Sequence, residues 1–234
     1  MKINILLCDV FEDIMPFENI SYISMIQSLF ESVYPNLSYE IFEAFARDLP
    51  DIIEEDAIYL IPGSRSDAWS DAPWMVELRS FIEELHKEKA KMIGISFGHQ
   101  LIAETLGGRV EKAVAGYGLG VRESEFCDAA ITNHFKSGKL SLHYFHQDQV
   151  VILPPESKPL ATSSFCSTEG FTIGKHVITV QGHPEYDSTY MRYVLKNHSY
   201  NISEIMRIKA IKTLQEETNG LEVVKYMFNF LGII

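Results

Sequence analysis

Apolar residues recur along this chain in two rhythms: short continuous runs, and positions spaced three and four apart. Lys2 to Val10 is a short apolar run and predicts a buried first strand. Ile20, Ile23, Ile26, Leu29 and Phe30 have helical spacing, so 20–33 reads as a helix that Pro35-Asn36 breaks. Leu37 to Ala44 alternates as a second strand, and Ala57 to Ile61 is a third, closed by Pro62-Gly63-Ser64. Asp71-Ala72-Pro73 opens a helix to about Lys89, with proline in its first turn. Lys91 to Ile95 then forms a strand, followed by a helical segment from Leu101 to Leu106 that Gly107-Gly108 closes.

Strand and helix in alternation imply a mostly parallel central sheet with helices on both faces. The rhythm changes between Val110 and Val180. Strand-like runs at 118–123, 140–145, 172–173 and 176–180 are separated by turn residues, which suggests a small antiparallel extension. Segments 190–198, 202–215 and 221–231 read as closing helices. No linker, repeat or low-complexity tract interrupts residues 1–234, so a single α/β domain is expected.

Composition narrows the function classes. At 46% hydrophobic and 22% charged residues, the 234-residue chain can bury a core without disulfides. A net charge of −12 argues against a nucleic-acid partner, which would need clustered Lys and Arg. Cys8, Cys127 and Cys166 are an odd count without Cys-x-x-Cys spacing, and neither the cysteines nor the histidines have metal-ligand spacing. No metal or other cofactor is expected. The N-terminal apolar run is short for a signal peptide, and no stretch nears the ~20 residues of a membrane span. The expectation is a cytoplasmic protein acting on a small molecule.

The chemistry gathers at predicted strand ends, where open parallel sheets place their sites. Gly94-Ile-Ser-Phe-Gly98 between a strand and a helix has the form of a nucleophile elbow, with Ser96 at its apex. His183-Pro-Glu185 follows another strand. An imidazole can take the nucleophile's proton, and a carboxylate behind it fixes its tautomer. Backbone N–H groups of Gly63 and of Phe97 are the candidate oxyanion donors, each worth about 3–4 kcal/mol in the transition state. The order Ser96, His183, Glu185 puts the acid last, unlike the Ser, acid, His order of α/β-hydrolases.

As a set these motifs resemble the class I glutamine amidotransferases. Gly94-Ile-Ser-Phe-Gly-His-Gln100 is similar to that family's Gly-x-Cys-x-Gly-x-Gln elbow, and His183-Pro-Glu185 to its His-x-Glu pair. Pro62-Gly63-Ser64 matches its oxyanion strand. His146-Gln-Asp-Gln-Val150 resembles the branch related to the glutaminase domain of GMP synthetase. Ser163-Ser-Phe-Cys166 with Gln181-Gly-His-Pro-Glu-Tyr186 resembles the stand-alone γ-glutamyl peptidases of that branch. The resemblance runs from residue 62 to 186 and implies a flavodoxin-like fold. The implied reaction is hydrolysis of a γ-glutamyl amide, in glutamine or a γ-glutamyl peptide, through a γ-glutamyl-enzyme. It further implies that Gln100, Tyr117, Gly118, His146, Gln147 and Asp148 hold the γ-glutamyl head group.

Ser96 is the departure. A cysteine thiol has a pKa of ~8.5 and can lie as a thiolate beside histidine, whereas serine must be deprotonated during attack. This form is therefore expected to be inactive or very slow, either through deliberate replacement of a cysteine or through natural loss of catalysis. Two other classes stay open: a silent protein that senses glutamine or a γ-glutamyl metabolite, and a true serine hydrolase. With no Walker-type loop and no room for a nucleotide domain, either a separate subunit accepts released ammonia or the protein acts alone. The bland expectations are packing for His99, Cys8, Cys166, Trp69 and Trp74. His86, His134, His143, His176 and His198 are read as surface or core residues, and 51–56 as a solvated connection.

Overall fold

In the structure, a computed structural model, residues 1–10, 20–197 and 202–234 are described. One nine-stranded sheet organises them. Its parallel half runs in the order β2 (Ser38–Phe42), β1 (Lys2–Leu6), β3 (Ile58–Ile61), β4 (Lys91–Ile95) and β11 (Val177–Val180). The sheet continues antiparallel through β10 (Gly170–Ile173), β9 (Ser157–Thr162), β6 (Gly118–Phe126) and β7 (Leu140–His146). A separate antiparallel pair joins β5 (Arg109–Lys112) to β8 (Asp148–Ile152).

β3 is apolar and buried throughout, and β4 is so after Lys91, as strands covered on both faces require. Period-two alternation divides their side chains. Ile58, Leu60, Ile93 and Ile95 join a core with α1 (Tyr22–Glu31) and α7 (Gly220–Phe230). Tyr59, Ile61 and Met92 join a second core with α2 (Pro73–Lys87) and α3 (Phe97–Thr105). A third cluster sets α5 (Ser188–Asn197) and α6 (Glu204–Thr213) against Leu119 and Val121 of β6. The expected α/β architecture with helices on both faces is what forms. Among the described residues no helix is long and apolar enough to cross a membrane.

Several boundaries move for identifiable reasons. β1 stops at Leu6 rather than Val10, because Asp9 turns away to accept hydrogen bonds from Arg65. α1 begins one residue after Ser21, whose hydroxyl and that of Ser24 form a reciprocal cap of the kind worth about 1 kcal/mol. α3 begins at Phe97, directly behind Ser96, rather than at Leu101. β5 has a single apolar residue, β9 carries a proline, the helix α4 (Ala129–Thr132) is four residues long, and β8 follows β7 after one residue, so none stands out in sequence. His198 lies outside the described residues.

Candidate active site

The elbow is built by contacts that admit only glycine. A Cβ on Gly98 would lie 1.9 Å from the carbonyl oxygen of Ile61, so α3 can approach β3 only without a side chain there. A Cβ on Gly94 would lie 2.8 Å from Ile102 Cδ1 and 2.9 Å from the Gly98 carbonyl carbon. Between them Ser96 is held at φ 53°, ψ −105°, a region that costs a non-glycine residue roughly 1–3 kcal/mol. The Ser96 amide donates to Val180 O at 2.9 Å, which fixes the elbow to the end of β11. The Phe97 amide, first of the helix, meets no acceptor among the described residues. It adds to the positive end of the α3 dipole behind Ser96.

His183 and Glu185 follow β11 and are both buried. His183 Nδ1 lies 2.7 Å from Glu185 Oε1, and because a carboxylate accepts, Nδ1 carries the proton and Nε2 is left as the basic nitrogen. The imidazole stacks on Tyr186 with ring centroids 3.9 Å apart and planes 3° from parallel. His183 also anchors to the antiparallel half of the sheet, its amide donating to His143 O at 2.8 Å. Ser96 and His183 line one cavity, but no hydrogen bond joins the hydroxyl to the ring among the described residues. Catalytic hydrogen bonds are often long without substrate, so this geometry leaves the pair competent to meet on a bound carbonyl.

Gly63, expected to aim its N–H at an oxyanion, instead donates it to Tyr22 Oη at 3.0 Å. Tyr22 Oη in turn donates to Glu185 Oε1 at 2.9 Å. The turn is crowded: a Cβ on Gly63 would sit 3.0 Å from both His183 Cε1 and Tyr22 Oη. Of the two expected oxyanion donors, only the Phe97 amide is uncommitted. Tyr22 has no motif in the sequence, and sequence reasoning did not single it out as a neighbour of the candidate site.

The cavity measures ≈ 180 Å³, on the order of a dozen water positions. Its walls include Ser96, Phe97, Gln100, Tyr117, His146, Gln147, Asp148 and His183, together with Arg65, Asp67 and Lys112. Gly118 is not on that wall. It backs His146 and Phe165, and a Cβ there would lie 2.9 Å from His146 Nε2 and 2.7 Å from Phe165 Cε1. Gln100 lines the cavity while both hydrogens of its amide group are engaged, one by Asp148 O at 2.8 Å and one by Gln181 Oε1 at 3.0 Å. His146 Nδ1 donates to the Asp148 carbonyl at 2.9 Å, and burial lowers its pKa to about 4, so it is a neutral ring beside the cavity. Burial, with Asp67 alongside, raises Asp148 to about 6.

The remaining polar residues behave structurally. His99 is fully buried, with Nδ1 2.8 Å from Thr179 Oγ1, and burial lowers its pKa to about 3. His86 in the last turn of α2 and His176 on the turn leading into β11 contact each other at 3.0 Å (Nδ1 to Nε2). Burial pushes the Cys166 thiol up to about 12 and the Cys8 thiol higher still, so neither is a thiolate near neutrality. Trp69 and Trp74 pack on the core beneath α2 and α3, and Lys112 Nζ sits 5.8 Å from the Trp69 ring centre. No group of three or more His, Cys, Asp or Glu among the described residues could hold a metal ion.

A profile of the family described as "Glutamine amidotransferase class-I" matches residues 21–202. Gamma-glutamyl peptidase 3 of Arabidopsis thaliana is 34% identical over 157 residues, covering 64% of this chain and 63% of that protein. The glutamine amidotransferase-like protein chyE of Penicillium rubens is 24% identical over 213 residues, covering 87% and 86%. The match spans a little under two thirds of the length of the Arabidopsis relatives. Among solved structures, a glutamine amidotransferase from Thermotoga maritima superposes with a TM-score of 0.75 at 19% identity, covering 98% of this chain and 95% of that one.

Proposed function

Because the chain belongs to the class I glutamine amidotransferase family, we propose that its cavity takes the γ-glutamyl head group of glutamine or of a γ-glutamyl peptide. The observation that carries this reading is His183, hydrogen-bonded to Glu185, sharing one cavity with the strained residue at the elbow. The nucleophile at position 96 attacks the side-chain carbonyl. His183 Nε2 takes its proton and returns it to the departing amine, while Glu185 steadies the imidazolium. The Phe97 amide receives the developing oxyanion. The Gly63 amide joins it only by exchanging Tyr22 for the substrate oxygen. Water then releases the γ-glutamyl group. Asp148, with Gln147 and Tyr117 beside it, meets the polar head group, and His146 and Gln100 hold that wall in place.

Serine at position 96 is the weak step. Oxygen is smaller than sulfur and more basic, so an elbow shaped for a thiolate sets it back from the carbonyl. A misplacement near 1 Å costs about a hundredfold in rate. Ser96→Cys is therefore expected to raise hydrolysis of glutamine or γ-glutamyl-p-nitroanilide at least about a hundredfold over the Ser96 protein. A Ser96→Cys protein that binds these ligands in a calorimeter yet never turns over would overturn the hydrolase reading. It would leave a silent binding protein, which the unbonded Ser96 hydroxyl favours as the second reading. Relatives named as γ-glutamyl peptidases support a chain that works alone. A separate ammonia-accepting subunit enters only if free glutamine is the substrate.

A further inference from the structure

The Tyr22 hydroxyl touches both the turn after β3 and the carboxylate behind His183. It accepts the Gly63 N–H at 3.0 Å and donates to Glu185 Oε1 at 2.9 Å. Oε1 also receives His183 Nδ1 at 2.7 Å, whereas Glu185 Oε2 is buried without a hydrogen-bond partner among the described residues. One oxygen of a fully buried carboxylate side chain thus takes both donors. Burial and the neighbouring carboxylate hold the Tyr22 phenol well above its ordinary pKa, so it stays a donor near neutrality. Its place is fixed locally. Tyr22 is the first residue of α1, behind the Ser21–Ser24 cap, and its ring meets Tyr186 edge-on at 6.2 Å. Tyr186 in turn covers the face of His183.

We propose that Tyr22 is a positioning residue: it ties the Gly63 turn to Glu185 and so sets both the aim and the basicity of His183. This rests on the reading of His183 as base and Glu185 as its orienting acid. A hydrogen bond given to a carboxylate withdraws charge from it, and Oε1 shared between phenol and imidazole attracts the imidazole proton less than Oε1 serving the imidazole alone. Tyr22 therefore competes with the imidazole for the same carboxylate oxygen. Release of the Gly63 N–H toward a substrate oxygen would free a lone pair on Tyr22 Oη, weaken its donation to Glu185 and raise the basicity of His183 as negative charge develops.

The test is an NMR titration of the His183 imidazole in the folded Ser96 protein, which needs no turnover. Tyr22→Phe keeps the ring and removes the hydroxyl. The expected result is a His183 pKa raised by about one unit, the scale of one hydrogen bond to a charged group. The shift should vanish when Tyr22→Phe is made in a Glu185→Gln background, because its path through the carboxylate is gone. A folded Tyr22→Phe protein whose His183 titrates as in the parent overturns the proposal, as does a shift that persists undiminished in Glu185→Gln. Should Tyr22→Phe fail to fold, Gly63→Ala is the second variant. Its Cβ would meet both Tyr22 Oη and His183 Cε1 at 3.0 Å, so a raised His183 titration that vanishes in Glu185→Gln supports the proposal, and no movement, or one that persists in Glu185→Gln, counts against it. Failure of the hydrolase reading shows separately, as a Ser96→Cys protein without turnover, and leaves these titrations readable.

Discussion

Asp148 shows how a single side chain sets a pH dependence. Its carboxyl is raised from 3.8 to about 6 by burial and by Asp67. An ionised Asp148 suits the α-ammonium of a γ-glutamyl head group, so affinity for glutamine is expected to strengthen as pH rises through about 6. Asp148→Asn should flatten that rise, and calorimetric titrations at pH 5 to 8 (on the order of the range in which such groups titrate) would measure it; an unchanged slope would remove Asp148 from head-group recognition. The effect on stability has the opposite sign. The folded chain holds this proton after the unfolded chain has released it, so Asp148 alone makes stability fall as pH rises from 3.8 to about 6. At this scale the sequence was readable wherever a motif demands adjacent residues. Ser96 and the His183–Glu185 pair were visible because glycines and a short spacing mark them. Tyr22 was invisible, since it meets Glu185 across 163 positions and nothing near it signals that encounter.

Among the elements, α3 and β3 meet more closely than any side chain allows. Gly98→Ala would force its Cβ to within 1.9 Å of the Ile61 carbonyl oxygen. The expected cost is at least the 1–3 kcal/mol typical of overpacking, read as a lower urea midpoint, together with loss of ligand binding because Ser96 moves with the helix. An alanine protein with parental stability would mean that the helix is not pinned there. Sequence reading found β1, β3 and β4 as short, largely apolar runs and β2 by its alternation, and found β4 with its observed ends. It missed β9, where Pro159 looks like a breaker. The structure tolerates that proline because β6 pairs β9 only at Ala161 and Thr162, leaving Pro159 beyond the shared ladder. It also missed β8, whose first residue is Asp148.

For the whole molecule, ligand binding should register as stability. A head-group ligand that binds only the folded chain adds about 2.7 kcal/mol at a hundred times its Kd, and glutamine or γ-glutamyl peptides should raise Tm in the Ser96 protein accordingly. No rise with any γ-glutamyl compound would argue against the cavity as their site. The architecture was legible as alternating strands and helices, while the size of the antiparallel portion was not, since β9 carries a proline and β5 is mostly charged. The sheet changes direction at β11, which runs parallel beside β4 and antiparallel beside β10. His183 leaves from that strand, with Ser96 on one flank and the wall at His146 and Asp148 on the other. A molecule lodged there touches chain from both directions of the sheet, so it should slow amide exchange in β4 and β7 together rather than locally. Slowing confined to one flank would mean that the two portions open independently, with the occupant gripping only one of them.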